Sequence, residues 1–442
     1  MKVLKFGGTS VGSPKNMHQV ASLITDDSER KVIVLSAVSG TTNALVEIGE
    51  RLFAKDHDKA SMLIAELHEK YKAFYPDLLK ESKSHKKAKQ VIDEHFAFIN
   101  SLVNNFFNKR LNNELLAQGE MMSTKLFSIY LEEKNCKSKL ISALDFMAIN
   151  EEKEPIIEFT TEHLSQILDE NAETNIFVTQ GFICRNEEGE IDNLQRGGSD
   201  YSATIIGAAV QAEEVQIWTD IDGMHNNDPR FVDNTFPIAD LSFDEASELA
   251  YFGAKILHPT SIVPAQKYEV PVRLKNTMDP AAYGTLISKK QTSSGIKAIA
   301  SKDGITAIKI KSSRMLMAYG FLKKVFSVFE KYKTPIDMIT TSEVAVSLTI
   351  DNDEHLDQIV AEIEEYGTVI VDKDQSIICA AGNFKGTHKG IVSKIFDALV
   401  PYPIRMISFG GSDYNVSMLV DTKYKQEILI KLNNEIFLNA EF

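Results

Sequence analysis

Residues 1–12 read MKVLKFGGTSVG. An apolar run at 3–6 breaks at once into Gly7, Gly8, Thr9, Ser10, Val11 and Gly12. Such a run suits a strand buried on both faces of a parallel sheet, and the glycines after it let the backbone approach a neighbour closely. The pattern recurs at 31–43, where KVIVLS leads into Val38-Ser39-Gly40-Thr41-Thr42-Asn43. Further strands are expected at 139–142, 175–180, 214–219 and 270–274, with helical patterns between them. Strand and helix in alternation define an α/β fold with an open, mainly parallel sheet. Residues 45–131 are almost purely helical in pattern: AELHEKYKAFYPDLL and VIDEHFAFINSLVNNFF carry i, i+3, i+4 apolar spacing. They read as a helical subdomain beside the sheet.

The character of the chain changes after Gly284. GTLISKKQTSSG is polar and rich in turn residues, which marks a domain boundary. Beyond it lies an internal repeat. Pro335-Ile336-Asp337-Met338-Ile339 leads into 346–351, and Pro403-Ile404-Arg405-Met406-Ile407 leads into 416–421. Each unit reads strand, helix, strand, strand, helix. The first ends in a strand at 368–371, whereas the second has no final strand of its own. A strand at 296–301 would supply it, nesting one α+β (βαββαβ) unit inside the other. The expected domains are therefore 1–285, 296–372 and 373–442. A pair of such units suits small-ligand binding better than catalysis, and two periods are too few for a solenoid.

With 442 residues, 43% hydrophobic and 25% charged, the chain has the composition of a soluble globular protein of several domains. Lys and Arg number 48 against 62 Asp and Glu, so the net charge is −14. That balance excludes a general nucleic-acid binder, which needs a basic face, but not a local anion site built from amides and one lysine. Cys136, Cys184 and Cys379 lie far apart with no CxxC pair, so neither a zinc site nor a disulfide framework is expected, and a reducing cytoplasm fits. The first residues have no apolar signal region, and no apolar run reaches the ~18 residues of a membrane span.

Three stretches carry candidate chemistry. Lys5-Phe6-Gly7-Gly8 ends a strand, where open α/β sheets bind ligands, and amides with one lysine suit phosphate oxygens. Neither a Walker A loop nor GxGxxG is present, and the same glycines would serve a plain tight turn. Arg196-Gly197-Gly198-Ser199-Asp200 precedes the small-residue helix YSATIIGAAVQA. Arg196 and the helix amides there can hold a carboxylate or phosphate, although Asp200 could act only as a cap. The loop WTDIDGMHNNDPR, residues 218–230, is rich in Asp and compatible with nucleotide contact or with a solvated turn. Glu120, in GEMMST, is expected to open a helix, where an acid is ordinary. Lys255 and His258, in FGAKILHP, read alone as an exposed lysine and a packed histidine.

In order, KFGGTSVG, GE-x-MST, TQGFI, QRGGSDYSA, WTD-x-DG-x-x-x-x-DPR and FGAK-x-LHP resemble the aspartate kinases. The tail from SRMLMAYGFL through IDMITTSEVAVSLTID resembles their regulatory ACT region, and the likeness spans essentially the whole chain. It implies an amino-acid-kinase fold followed by two ACT domains. It also implies transfer of the ATP γ-phosphoryl to the β-carboxylate of L-aspartate with Mg²⁺, and a monofunctional enzyme. By resemblance, Lys5 serves the transferring phosphates, with Gly7 and Gly8 around the phosphoryl group. Ser39, Thr42 and Ser199 lie near aspartate, Glu120 faces its ammonium and Arg196 its α-carboxylate, and Asp200 organises Lys5. Thr219, Asp220, His225, Arg230 and Lys255 contact nucleotide, His225 standing where the family often has Tyr. No resident metal site is implied.

Met315, Phe321, Leu322, Asp337, Ser342 and Glu343 match a lysine-sensitive pattern, while Met317 and Ala318 depart from it. Lysine is the first effector expected and threonine the second, bound where ACT units of a homodimer or dimer of dimers meet, with Asp337 and Glu343 open to an ammonium group. Two other readings stay open: a kinase of glutamate or N-acetylglutamate, and an inactive kinase domain kept as an amino-acid sensor.

Overall fold

The computed structural model describes residues 1–194, 197–253, 257–290, 293–312, 319–385 and 390–438. They form two compact units: one of 1–224, 239–243 and 257–290, the other of 225–238, 244–256 and 291–442. The expected first domain, 1–285, is thus interrupted twice by segments that pack with the second unit.

The first unit is built on eight strands: β1 (Lys2–Phe6), β2 (Lys31–Leu35), β3 (Ser138–Leu140), β4 (Ile176–Gln180), β7 (Glu214–Thr219), β8 (Asp240–Ser242), β9 (Val272–Asn276) and β10 (Thr285–Ser288). A hairpin of β5 (Ile183–Arg185) and β6 (Ile191–Asn193) stands apart. The sheet order is β3-β4-β2-β1-β7-β9-β10-β8, parallel throughout except where β9 meets β10. All five residues of β2 are buried, as are all five of β4, which explains why both read as unbroken apolar runs.

Helices α1 (Pro14–Thr25), α6 (Ile157–Glu170), α7 (Gly198–Ala209) and α9 (Val263–Lys267) lie between strands. Between β2 and β3 run α2 (Thr41–Phe53), α3 (His57–Leu78), α4 (Ser82–Ser101) and α5 (Lys109–Glu133), the helical region read from periodicity. Leu45, Ile64, Leu67, Tyr71, Ile92, Phe96 and Leu126 join their apolar stripes into one core with the sheet residues Phe6 and Ile33. At about 1.5–3 kcal/mol per fully buried large side chain, this core anchors the helices that frame the site.

The second unit carries an antiparallel sheet in the order β12-β13-β11-β14-β16-β15. Its strands are β11 (Gly295–Lys311), β12 (Ile339–Thr341), β13 (Ala345–Ile350), β14 (Thr368–Asn383), β15 (Ile404–Phe409) and β16 (Asn415–Asp421). Its helices are α8 (Phe243–Tyr251), which begins on the last residue of a first-unit segment, then α10 (Phe321–Lys331), α11 (Leu356–Ile363), α12 (Ile391–Leu399) and α13 (Lys425–Asn433).

Two long strands serve both repeats. Residues 305–311 of β11 pair with 368–375 of β14, and 295–302 pair with 377–383. Register shifts on either side of Ile305 separate the halves, beside Gly304 at φ +74°. Each half has its own core. Ile308, Ile310, Val325, Leu348 and Ile359 form one, and Ile299, Ile378, Ile395, Met418 and Leu429 form the other.

Candidate active site

The parallel register aligns the carboxyl ends of four neighbouring strands. Phe6 stands level with Leu35 and Trp218, and Leu35 with Gln180. The turns that follow open on one edge, the edge at which sheets of this kind bind ligands. After β1, the Gly7 amide donates to the Trp218 carbonyl at 3.3 Å. A side chain at Gly7 would stand 3.3 Å from the Lys5 ammonium, and one at Gly8 would stand 3.3 Å from the Ala37 carbonyl oxygen. These glycines keep space around the lysine and between two loops. Lys5 Nζ lies 2.6 Å from Asp200 Oδ1, both side chains largely buried. Asp200 sits in the first turn of α7. Thus β1 and α7 bring together the two residues assigned to phosphoryl transfer.

Gly197 enters α7 at φ +80°, a conformation that favours glycine. Any side chain there would come within 2.3 Å of Ser261 Oγ, and one at Gly198 within 2.5 Å of the Phe182 ring. What these glycines approach within the protein is therefore Ser261 and Phe182. Likewise Gly181 leaves room for Ser199, since its Cβ would stand 2.6 Å from Ser199 Cβ.

A cavity of about 420 Å³ opens among these turns, lined by Gly8, Ser39, Thr42, Glu120, Phe182 and Ser199 with neighbouring backbone. Glu120 corrects its sequence reading. It does not open a helix but lies in the middle of α5, which starts at Lys109 behind an Asn108 cap whose side chain accepts from the Leu111 amide at 3.0 Å. Gly119 is a packing slot: its Cβ would stand 2.9 Å from Ala37 Cβ. That close approach lets Glu120 Oε1 accept from the Ala37 amide at 3.2 Å, while Oε2 is buried with no hydrogen-bond partner. Burial pushes the Glu120 carboxyl up to about 8, against the lowering effect of the Ala37 amide and of Lys5. A buried acid with one open oxygen is prepared for a cationic group of a ligand.

Sequence reasoning missed two residues here. Phe182, on the cavity wall, holds φ +67°, and its amide donates to Ser202 Oγ at 2.8 Å. Its one sequence signal is its place after Gly181 in TQGFI. Lys70, on α3, donates to the Ser39 carbonyl at 2.5 Å, and nothing in its own helical pattern distinguishes it.

Thr219 ends β7 beside β1 and Asp220 follows it, with Thr219 Oγ1 donating to Asp220 Oδ1 at 3.0 Å. Arg196 and Lys255 lie outside the described residues. His225 and Arg230 pack in the second unit, where a ring nitrogen of His225 is 2.9 Å from Thr235 Oγ1. Asp228 holds the Arg230 guanidinium through both carboxylate oxygens, at 2.6 to 3.1 Å.

Of the residues read as an effector site, Met315 and Ala318 lie outside the described residues. Phe321 is buried at the start of α10 and Leu322 is exposed beside it. Ser342 and Glu343 sit on an exposed turn between β12 and β13. Asp337 is half engaged, its Oδ2 having no hydrogen-bond partner. Its side chain is buried, and Lys302 Nζ already lies 2.6 Å from Oδ1.

No group of three His, Cys, Asp or Glu able to hold a metal ion occurs among the described residues. No described helix is long and apolar enough to cross a membrane.

Residues 1–276 match the amino acid kinase family, and the chain belongs to it. Residues 378–436 match an ACT domain. The chain is 35% identical to the chloroplastic aspartokinase 3 of Arabidopsis thaliana, over 98% of this chain and 81% of that one. It is 32% identical to the lysine-sensitive aspartokinase 3 of Escherichia coli, over 98% and 99%. It superposes on the E. coli aspartokinase III structure with aspartate and ADP at a TM-score of 0.84 and 30% identity, covering 99% of this chain and all of that one. Within the family, this is an aspartokinase.

Proposed function

We propose that this aspartokinase moves the γ-phosphoryl of ATP to the β-carboxylate of L-aspartate mainly by positioning and charge. The observation that carries the reading is the union, at one sheet edge, of the Lys5–Asp200 pair with a cavity holding Glu120. The acceptor carboxylate is ionised at neutral pH, so the enzyme need supply no general base. What remains is to bring two anions into line.

Asp200 fixes Lys5 at the mouth of the Gly7–Gly8 turn, where its ammonium meets the transferring phosphoryl oxygens. Ser39, Thr42 and Ser199 hydrogen-bond aspartate, Glu120 takes its ammonium and Arg196 its α-carboxylate. Thr219, Asp220, His225, Arg230 and Lys255 are assigned to the nucleotide. ATP arrives as its Mg²⁺ complex, the ion neutralising phosphate charge. Such an ion needs few protein ligands.

The product, 4-phospho-L-aspartate, opens the route to lysine, threonine and methionine. Lysine, acting at the ACT units, is the first effector we assign and threonine the second, in a cytoplasmic homodimer or dimer of dimers. The lysine assignment is supported by the E. coli relative named lysine-sensitive. The test is formation of aspartyl hydroxamate from L-aspartate, ATP and Mg²⁺, with and without lysine or threonine. Product suppressed by one of them supports the reading and names the effector. Product only from glutamate or N-acetylglutamate overturns the substrate. Amino-acid binding without turnover on any substrate would instead mark a sensor.

A further inference from the structure

The turn after β2 brings Ser39 and Thr42 to the cavity of the first unit, and two helices hold it from different sides. One is α5: the Ser123 hydroxyl donates to the Ser36 carbonyl at 2.7 Å, and Glu120 accepts from the Ala37 amide. The other is α3. Lys70 donates to the Ser39 carbonyl at 2.5 Å, and the hydroxyls of Tyr71 and Thr41 share a hydrogen bond of 3.1 Å. Consecutive residues of α3 thus fasten the turn on either side of Gly40.

The two α3 contacts differ in kind. Tyr71 and Thr41 are buried, and Tyr71 belongs to the core of the helical region. Lys70 is exposed, so packing does not dictate where its ammonium goes. Its neighbour Lys72 pairs with Glu69 on the same helix, as exposed helix lysines commonly do. Lys70 instead reaches a carbonyl 31 residues away in the chain, with no carboxylate partner among the described residues. Desolvation lowers its pKa, so the place beside the turn is not the best-hydrated one open to it. Gly40, at φ +77°, starts α2 without a side-chain cap, and its Cβ would stand 3.4 Å from the Lys70 ammonium. The local fastening that a capping side chain gives a helix start is missing here, and α3 supplies it from a distance.

We propose that Lys70 is a positioning residue for the acceptor substrate, holding the Ser39 end of the turn so that Ser39 and Thr42 keep a fixed distance from Glu120. This rests on the reading of Ser39, Thr42 and Glu120 as groups that bind aspartate. Glu120, carried by α5, takes the ammonium of the substrate. Ser39 and Thr42, steadied by α3, hydrogen-bond the same molecule. Without Lys70 the turn keeps its α5 contacts and the Tyr71 anchor but loses the contact next to Ser39.

Lys70→Met keeps the apolar stem and removes the donor. A displacement of about 1 Å can cost on the order of 10²-fold, and a turn still held at its other anchors should lose less, so we expect kcat/KM for aspartate to fall about tenfold. The KM for ATP should stay within about twofold of wild type, and the thermal midpoint should not move, because ground-state contacts to one substrate are what changes. Lys70→Arg, which also donates from a cation, should recover most of the loss. Wild-type kinetics for aspartate in Lys70→Met overturn the proposal. So does a similar rise in both KM values with a lowered midpoint, the mark of a merely structural lysine. A loss that disappears in about 1 M salt, where the Debye length is about 3 Å, overturns it as well, since that is simple attraction of an anion.

Thr42→Val separates this role from the reading beneath it. If Thr42→Val raises the aspartate KM while Lys70→Met behaves as wild type, the turn binds aspartate and the positioning role falls. If Thr42→Val leaves the aspartate KM unchanged, the reading of the turn fails and takes the proposal with it.

Discussion

At the scale of the residue, Glu120 and Lys5 carry the most testable content. In the proposed mechanism Lys5 supplies the positive charge where phosphoryl oxygens arrive, so Lys5→Ala should lower kcat about 10²–10³-fold, in line with loss of one preorganised electrostatic contact. Cooperative urea unfolding should persist, and normal turnover in that variant would sink the assignment. Glu120 should make aspartate binding depend on pH. Its free-enzyme carboxyl holds a proton up to about pH 8, because burial disfavours the charge. An aspartate ammonium favours the ionised form, so binding below pH 8 should release a proton. The KM for aspartate should then fall by up to about tenfold per unit from pH 6 to 8 and level off above. Glu120→Gln should abolish that slope and raise the KM.

The same shift has a consequence for stability. The folded acid keeps its proton where the unfolded one, near 4.3, has lost it. Stability from this group is therefore present at low pH and declines as pH rises from about 4.3 towards 8. Urea unfolding of Glu120→Gln across that window should show the decline removed.

At the scale of the element, the site depends on how closely α5 approaches the turn after β2. Gly119 sets that distance through its contact with Ala37, and the next residue is Glu120. Gly119→Val should force the two apart, destabilising the fold by about 1–3 kcal/mol as overpacking does. The urea midpoint should drop with an unchanged m-value, and aspartate should bind more weakly while ATP binding changes less. An unchanged aspartate KM would show that the helix position is not critical. In the second unit, β11 and β14 are each long enough to serve two repeats, which is how the second repeat obtains a strand from 295–302.

At the scale of the whole molecule, two compact units with separate cores give two places where ligands can act on stability. An effector that binds only the folded chain should stabilise it by about 2.7 kcal/mol when present at a hundred times its Kd. We expect thermal unfolding to be raised by lysine but not by an equal concentration of methionine. A shift with threonine instead would exchange the effector, and no shift with any of the three would remove the ACT-binding assignment.

The residue pattern alone determined the parallel sheet, because a strand covered on both faces must be apolar throughout, as KVIVL is. It determined the helical region, because a 3.6-residue stripe has one geometric solution, and the nested repeat, because the second unit lacked a closing strand. The ordered motifs singled out the residues proposed for the site. Only the tertiary structure decided what those residues meet. Glu120 looked like an ordinary helix-opening acid because local sequence cannot show that Gly119 admits another loop. Gly197 and Gly198 signalled close approach without saying to what. Asp337 looked wholly open because its partners, Lys302 and Tyr251, are 35 and 86 residues away in the chain. Burial and long-range pairing depend on which surfaces the fold brings together, and those are the quantities that set the charge of Glu120 and the occupancy of Asp337.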